Sequence, residues 1–241
     1  VARMVIEGAA TGFESIFGVA EVLGSVPSVN NLRLTPLGTA ATITVASGGT
    51  VTQAATGASV SVPANALVAA GGGAAPATAD VRVTAIDIGS DSNLLSGDFT
   101  DSSGTQVQAY GSVVLSSSTA LDVVGGQLLT LQIPLSNRSA LTPASATLYY
   151  LDVATGRWVA DGSANLVAGA QPHYTADVTR FAQWMVGTAI TATQTVSGCV
   201  LDDAGAPAAN VRIAADGINY SSIAYTTTNA QGQFTLQLPT S

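Results

Sequence analysis

The chain has 241 residues, enough for one large domain or two ordinary ones, and 47% of them are apolar, enough to build a core. Only 9% are charged, and the formal net charge is −8. All seven basic residues are arginines that form no cluster, so neither nucleic acid nor an anionic membrane surface is an expected partner. The sequence contains no run of 18 or more apolar residues, so no membrane-spanning helix is predicted.

The N-terminal segment predicts a strand followed by a helix. Residues 1–8, VARMVIEG, have the pattern of a strand. In 11–24, TGFESIFGVAEVLG, apolar residues follow helical spacing, Thr11 and Glu14 fit a capping box, and Gly24 can end the helix. The apolar stripe of this predicted helix either packs on the chain's own core or docks a partner.

The middle of the chain predicts an antiparallel β-sandwich. Short segments rich in Thr, Val, Ala and Ser are separated by turn residues, with strands expected in 48–67, 79–89, 111–117 and 126–135 and a loop in 68–80. Residues 147–187 hold both tryptophans, so the densest packing is expected there. The predicted organisation is an N-terminal segment (1–46), a central sandwich (47–190) and a C-terminal module (191–241).

The C-terminal module resembles a known family. Four strands are expected, at 195–200, 210–215, 222–227 and 232–238. The sequence VSGCVLDDAGAPAANV followed by TTNAQGQFTLQLP resembles the carboxypeptidase regulatory-like, transthyretin-like β-sandwich family across 195–239. The resemblance implies a non-catalytic accessory fold that brings no active-site residues. Cys199 in this module forms no internal disulfide, and we expect it to be buried, with a reactive or intermolecular thiol as the alternative.

The family pattern continues past QLP with another strand, which this chain lacks, while VARMVIEG has the character of such a strand. Either the chain is a piece of a longer repeat protein, which its start without Met also suggests, or the N-terminal strand of one copy completes the module of the next. Strand addition of this kind is an established binding mode, and a head-to-tail contact that does not close builds a filament. The predicted interface residues are Arg3, Met4, Val5, Ile6, Phe234, Leu236 and Leu238.

Residues 48–187 resemble ZU5-like β-sandwich domains through GGTVT, TGASVSVPANAL, TGRW and VTRFAQWMV. Some members of that group cleave themselves at a His-Phe-Ser step. The matching positions here are Arg180, Phe181 and Ala182. Because position 182 has no hydroxyl to act as nucleophile, we predict no self-cleavage.

Few residues could carry chemistry. His173 is the only histidine, no G-x-S-x-G elbow is present, and a lone His and Cys cannot supply a zinc site. Acidic residues are numerous, but no pair is marked as a glycosidase pair. We therefore predict no catalytic residues and no cofactor, with calcium as the one candidate ligand. Its candidate ligands are Asp87, Asp91, Asp98 and Asp101, whose alternative is a solvated loop with aspartates capping turns.

These patterns predict a non-catalytic, secreted or cell-surface protein that assembles with copies of itself into a fibre, sheath or surface matrix. Two sequons, at Asn137 and Asn219, permit glycans. One alternative is an accessory region of a larger secreted enzyme. Another is a protein-binding or carbohydrate-binding module, whose sugar platform would come from Tyr149, Tyr150, Trp158 or Trp184.

Overall fold

The computed structural model describes residues 2–22, 32–139 and 142–240. Strands account for 56% of the chain and helix for 1%, so the predicted all-β class is confirmed. In the described ranges the one helical element is a 3-10 turn at Ser92–Leu94.

The strands follow one another with short connections. In chain order they are β1 (Ala2–Gly8), β2 (Ile16–Val22), β3 (Thr39–Thr44), β4 (Gly49–Gln53), β5 (Ala58–Val62), β6 (Leu67–Ala69), β7 (Thr78–Ile86), β8 (Val107–Ser117), β9 (Leu121–Val123), β10 (Leu129–Pro134), β11 (Ser145–Asp152), β12 (Arg157–Val167), β13 (His173–Val178), β14 (Gln183–Ala189), β15 (Thr193–Cys199), β16 (Arg212–Asp216), β17 (Ile223–Thr227) and β18 (Gln233–Pro239).

One antiparallel sheet of ten strands, in the order β3-β7-β8-β14-β11-β12-β13-β10-β5-β4, forms the sandwich. Its two halves face each other, because one core contains Val83 and Leu115 from the first half together with Val60 and Leu131 from the second. A tight turn joins β3 to β4, so the two ends of the sheet lie side by side. The sheet includes β3, whereas the sequence placed 39–46 with the N-terminal segment.

A second core lies on the outer face of β8, β11 and β14. Alternate residues of these strands point there, so Leu148 and Trp184 belong to the first core while Tyr149 and Met185 belong to the second. The loop 87–101 covers this face with Ile88, Leu95 and Phe99, and β17 adds Ile223. This middle part of the sheet is therefore buried on both faces.

The predicted helix is wrong over residues 11–22, and residues 23 and 24, with the expected helix end at Gly24, lie outside the described residues. Residues 16–22 form β2, which pairs with β1 in antiparallel register from Gly8 opposite Ile16 to Ala2 opposite Val22. The segment is rich in Ile, Phe and Val, which suit strands, and its apolar residues also alternate with the period of a strand. Glu14 does not cap a helix. It is buried and accepts a hydrogen bond from the Thr84 hydroxyl at 2.5 Å.

The C-terminal module has the four predicted strands, arranged as two ribbons, β15 with β18 and β16 with β17. The ribbons contact each other through β17 and β18, with Ala224 and Leu236 buried. The prediction that Cys199 is buried is wrong, because this residue is exposed. Its register partner is Gln233, and alternation places both on the polar face of the ribbon with Ser197 and Thr235.

Close packing between β8 and β10 gives a test of the layered arrangement. A Cβ atom on Gly111 would lie 2.3 Å from the Pro134 carbonyl oxygen, whereas one on Gly125 would meet nothing within 4 Å. We expect Gly111→Ala to lower the free energy of unfolding by about 2–3 kcal/mol, because the backbones must move apart. Gly125→Ala, the matched control, should change it by less than about 0.5 kcal/mol. Urea denaturation of both variants measures this, and equal midpoints would contradict the close approach of the two strands.

Candidate functional site

A cleft of about 400 Å³ lies where the N-terminal hairpin, the sandwich and the C-terminal module meet. We call it the joint cleft. Its first wall is β2 from Ile16 to Val19, and its second is the loop from Ser92 to Phe99. The module supplies the third wall through β16 and β17, with Arg212, Ala214, Asp216, Ile223 and Tyr225.

Charged residues are concentrated around the joint cleft in a chain that has few of them. Four of the seven arginines and three aspartates lie there. Three ion pairs connect different parts of the chain: Arg3 with Asp98 at 2.5 Å, Arg33 with Asp91 at 2.6 Å, and Arg138 with Asp216 at 2.8 Å.

Arg138 forms the most extensive of these connections, and its side chain is only 19% exposed. Its Nε donates to the Gly89 carbonyl at 3.1 Å, and its Nη1 donates to Asp216 at 2.8 Å and to the Gly217 carbonyl at 2.6 Å. Its backbone N–H donates to the Ser221 hydroxyl at 3.0 Å. One residue thus connects the loop after β7 to the β16–β17 turn.

The electrostatics of the cleft follow from these neighbours. Burial raises the pKa of Tyr225; Arg212, whose guanidinium lies 4.1 Å from the ring centre, opposes that shift, and Asp216 reinforces it. Partial burial acts to raise the pKa of Asp91, but hydrogen bonds from Asn93 and the charge of Arg33 outweigh it and hold the pKa below its usual value. Tyr225 thus stays protonated, and Asp91 charged, at neutral pH.

The four aspartates predicted as calcium ligands are used separately. Asp87 and Asp101 accept hydrogen bonds from backbone amides of their own turns, at Ser90 and Ser103, while Asp91 and Asp98 pair with arginines. In the ranges that the structure describes, no three His, Cys, Asp or Glu residues lie close enough together to hold a metal ion. The aspartates cap turns, as in the alternative interpretation, but the loop is not merely solvated, because it covers the second core.

The aromatic platform predicted for carbohydrate is wrong. Trp158 and Trp184 are fully buried and Tyr149 is 3% exposed. Tyr150 is half-buried, with Trp184 against its edge and the Arg180 guanidinium 4.2 Å from the ring centre. Trp158, Trp184 and Tyr149 lie in the two cores and cannot stack on a sugar, and the Arg180 guanidinium covers one face of the Tyr150 ring.

The single histidine stays outside the cleft. Its Nδ1 lies 3.0 Å from the Gln171 carbonyl oxygen, and the side chain is half-buried at the start of β13. Of the two sequon asparagines, Asn219 is exposed, whereas Asn137 is half-buried and donates to the Ser139 carbonyl. Glycosylation stays a prediction.

The predicted interface residues lie on two separate ribbons. On β1, Met4 is 53% exposed, and Arg3 donates to the Thr155 and Gly156 carbonyls of its own chain besides pairing with Asp98. Val5 and Ile6 are half-buried. On β18, Leu236 is buried, and Phe234 and Leu238 are half-buried on the same face.

The outer edge of β1 can be identified from hydrogen bonds on β2. Phe17 stands opposite Glu7 in the hairpin register. Both backbone groups of Phe17 point away from β1, because its carbonyl accepts from Gly97 N at 2.6 Å and its amide donates to the Ser96 hydroxyl. By the alternation of antiparallel ladders, the amides and carbonyls of Arg3, Val5 and Glu7 point away from β2. No other described strand pairs with β1.

The module has open edges of the same kind. In the β16–β17 ribbon, Gly217 N donates to Ser222 O and Thr228 N donates to Val211 O. These bonds fix the alternation, so the backbone groups of Arg212, Ala214 and Asp216 point away from β17. Along the described part of the chain, no strand pairs with β16 on that side, and β15 and β18 pair only with each other.

The sequence did not predict the joint cleft or the ion pairs around it. Arg138 and Asp216 are 78 residues apart, and neither lies in a motif that marks it. The one available signal was composition, because a charged side chain is rare in this chain and each one is a candidate for a specific contact.

Loss of the Arg138 contacts should release the module from the sandwich. We expect Arg138→Ala to lower the opening free energy of β16 and β17 by about 2 kcal/mol, because several hydrogen bonds from a charged group are lost. Amide hydrogen exchange should become roughly thirty-fold faster there and stay unchanged in β14. The control is Arg180→Ala, which breaks an exposed pair with Asp161 at 3.5 Å and should leave β16 and β17 unaffected. Unchanged exchange in Arg138→Ala would show that the module is held by other contacts.

In the described ranges, no helix is long and apolar enough to cross a membrane. Comparison with protein-family models, with curated proteins and with solved structures finds no significant match.

Proposed function

We propose that this protein is a non-catalytic structural subunit that assembles with copies of itself outside the cell, in a fibre, sheath or surface matrix, by pairing open strand edges. The observation that carries the proposal is the set of unpaired edges on the elements outside the sandwich. Among the strands of residues 2–22, 32–139 and 142–240, none pairs with the outer edge of β1 or with the outer edges of the two ribbons of the C-terminal module.

Open edges are a liability for a protein that works alone. Natural sheets usually block them with charges, prolines, bulges or a covering element, because exposed amides and carbonyls pair readily with another chain. The large sheet of this protein solves the problem by bringing its two end strands together. The small ribbons cannot close in this way, although the edges of β1 and β16 each carry two charges, and a two-stranded ribbon is marginally stable unless something packs on it or pairs with it.

Composition supports the same proposal. The chain has few charged residues, no lysine and many small side chains, which suits close lateral contact between subunits. The resemblance of 195–239 to carboxypeptidase regulatory-like modules also favours a non-catalytic role. A binding module is the second candidate, and the joint cleft favours a small ligand for it, because its volume lies in the range of small-molecule sites.

The test blocks one edge without removing the strand. In Val5→Pro the lost N–H points away from β2, so the hairpin ladder is retained, and proline is tolerated at such edge positions. Intact protein should form polymers visible by electron microscopy and light scattering, and Val5→Pro should stay monomeric, because the central donor of the edge is gone.

Val5→Ala is the matched control. It loses the same side-chain packing against Gly156 but keeps the amide, so it should polymerise like the intact chain. Monomers from the intact chain at every concentration and salt tested would refute assembly and favour a binding module. Polymers from Val5→Pro would show that assembly uses other edges.

A further inference from the structure

We infer that the open edge of β1 in one copy pairs antiparallel with the open edge of β16 in a second copy, with Arg3 opposite Asp216, Val5 opposite Ala214 and Glu7 opposite Arg212. This inference rests on the proposed assembly and names its interface. It replaces the β18 edge that the sequence suggested with the edge beside the joint cleft.

The first support is the backbone. Antiparallel pairing needs residues whose amides and carbonyls both point outward, at every second position of each strand. On β1 these are Arg3, Val5 and Glu7. On β16 they are Arg212, Ala214 and Asp216, which gives three consecutive matched pairs and about six hydrogen bonds.

The second support is charge. Each edge carries an arginine and a carboxylate four residues apart with a small or medium apolar residue between them. In the antiparallel register both ends bring opposite charges together. The parallel arrangement would place Arg3 beside Arg212 and Glu7 beside Asp216, and like charges directly across a ladder are unfavourable.

Arg3 pairs with Asp98 and Asp216 with Arg138 in their own chain. The pair Glu7–Arg212 is the one to test, because changing its charges leaves both of these ion pairs in place. Glu7 is exposed, and the guanidinium of Arg212, which lies over Tyr225, has enough donors to serve more than one acceptor.

The edges of the β15–β18 ribbon fit β1 less well. On β18 the outward positions are Gln233, Thr235, Gln237 and Pro239. Both backbone groups of Gln233 are used by Asn229, and Pro239 has no N–H, so two positions remain. The outward positions of β15 are Thr193, Thr195, Ser197 and Cys199, which carry no charge to select a register against Arg3 and Glu7.

Such a contact uses different surfaces on the two copies, so it is heterologous. Each subunit would offer its hairpin to one neighbour and its module to the other. A heterologous contact that does not close generates an open filament, which is the geometry that the proposed function requires.

The test reverses the charge at Glu7 and at Arg212, first one at a time and then together. Glu7→Arg places arginine opposite Arg212, and Arg212→Glu places glutamate opposite Glu7. Each variant alone should associate about tenfold more weakly than the intact chain in sedimentation velocity at low salt, because one attractive pair becomes repulsive. The double variant Glu7→Arg/Arg212→Glu should regain assembly.

An equal mixture of the two single variants is the sharper measurement. Each kind of contact between unlike subunits then joins an arginine to a glutamate, so the mixture should co-assemble more tightly than either variant associates alone. Asp203→Arg, on an exposed turn, matches the net charge of Glu7→Arg and should assemble like the intact chain. Circular dichroism and thermal denaturation check that each variant is folded.

The outcomes separate the two proposals. Intact protein that stays monomeric refutes the assembly function and this interface with it. Intact protein that polymerises while the single variants polymerise equally well leaves the function standing and refutes the β1–β16 register. Loss of assembly in the single variants without recovery in the mixture or in the double variant also refutes the register.

Discussion

The middle of the large sheet is apolar on both faces, and the rest of the molecule is arranged around that constraint. One face of β8, β11 and β14 is buried by the opposite half of the sandwich. The other face, with Trp158 and Met185 fully buried, is covered by the loop 87–101 and β17. Removal of this apolar face from water favours the ordering of one loop and one ribbon over it and offsets the entropy that their ordering costs.

The outer face of the sheet is covered by separate elements, so boundaries remain between them. The charged residues around the joint cleft lie at these boundaries. Arginine suits this role because its planar guanidinium can donate to several acceptors at once, as Arg138 does to Gly89, Asp216 and Gly217. Partial burial makes such contacts worth more than exposed ion pairs, whose net contribution is small. A chain with so few charges thus uses four of its seven arginines at one joint.

The covering elements also explain the open edges. A sheet that folds over until its ends meet hides its own edges, as β3 and β4 do here. A two-stranded ribbon cannot do so, because each of its strands has a neighbour on one side only. The hairpin and the module are built from such ribbons, so the surface that completes the second core is also the surface that exposes unpaired backbone to another subunit.

Alternation and turn residues were sufficient to predict most of the strands, because each of these signals is local. The all-β class, β1, the 48–67 pair and the four strands of the module follow from patterns within about ten residues. The segment 11–24 fits two periods at once, and only pairing with β1 selected the strand. Exposure of Cys199 depended on which face of its ribbon found a partner, which a local pattern does not specify.

The ion pairs around the joint cleft could not be predicted from the sequence, because they depend on tertiary structure. Arg3 meets Asp98, and Arg138 meets Asp216, across 95 and 78 residues of chain. A fold must exist before such partners are neighbours. The sequence alone therefore determined that this protein is all-β, with a first strand at its N-terminal end and four strands in its C-terminal module. Only the tertiary structure decided where those ends dock and which of their edges face outward, because docking is governed by the second apolar face of the sheet and by ion pairs between distant segments.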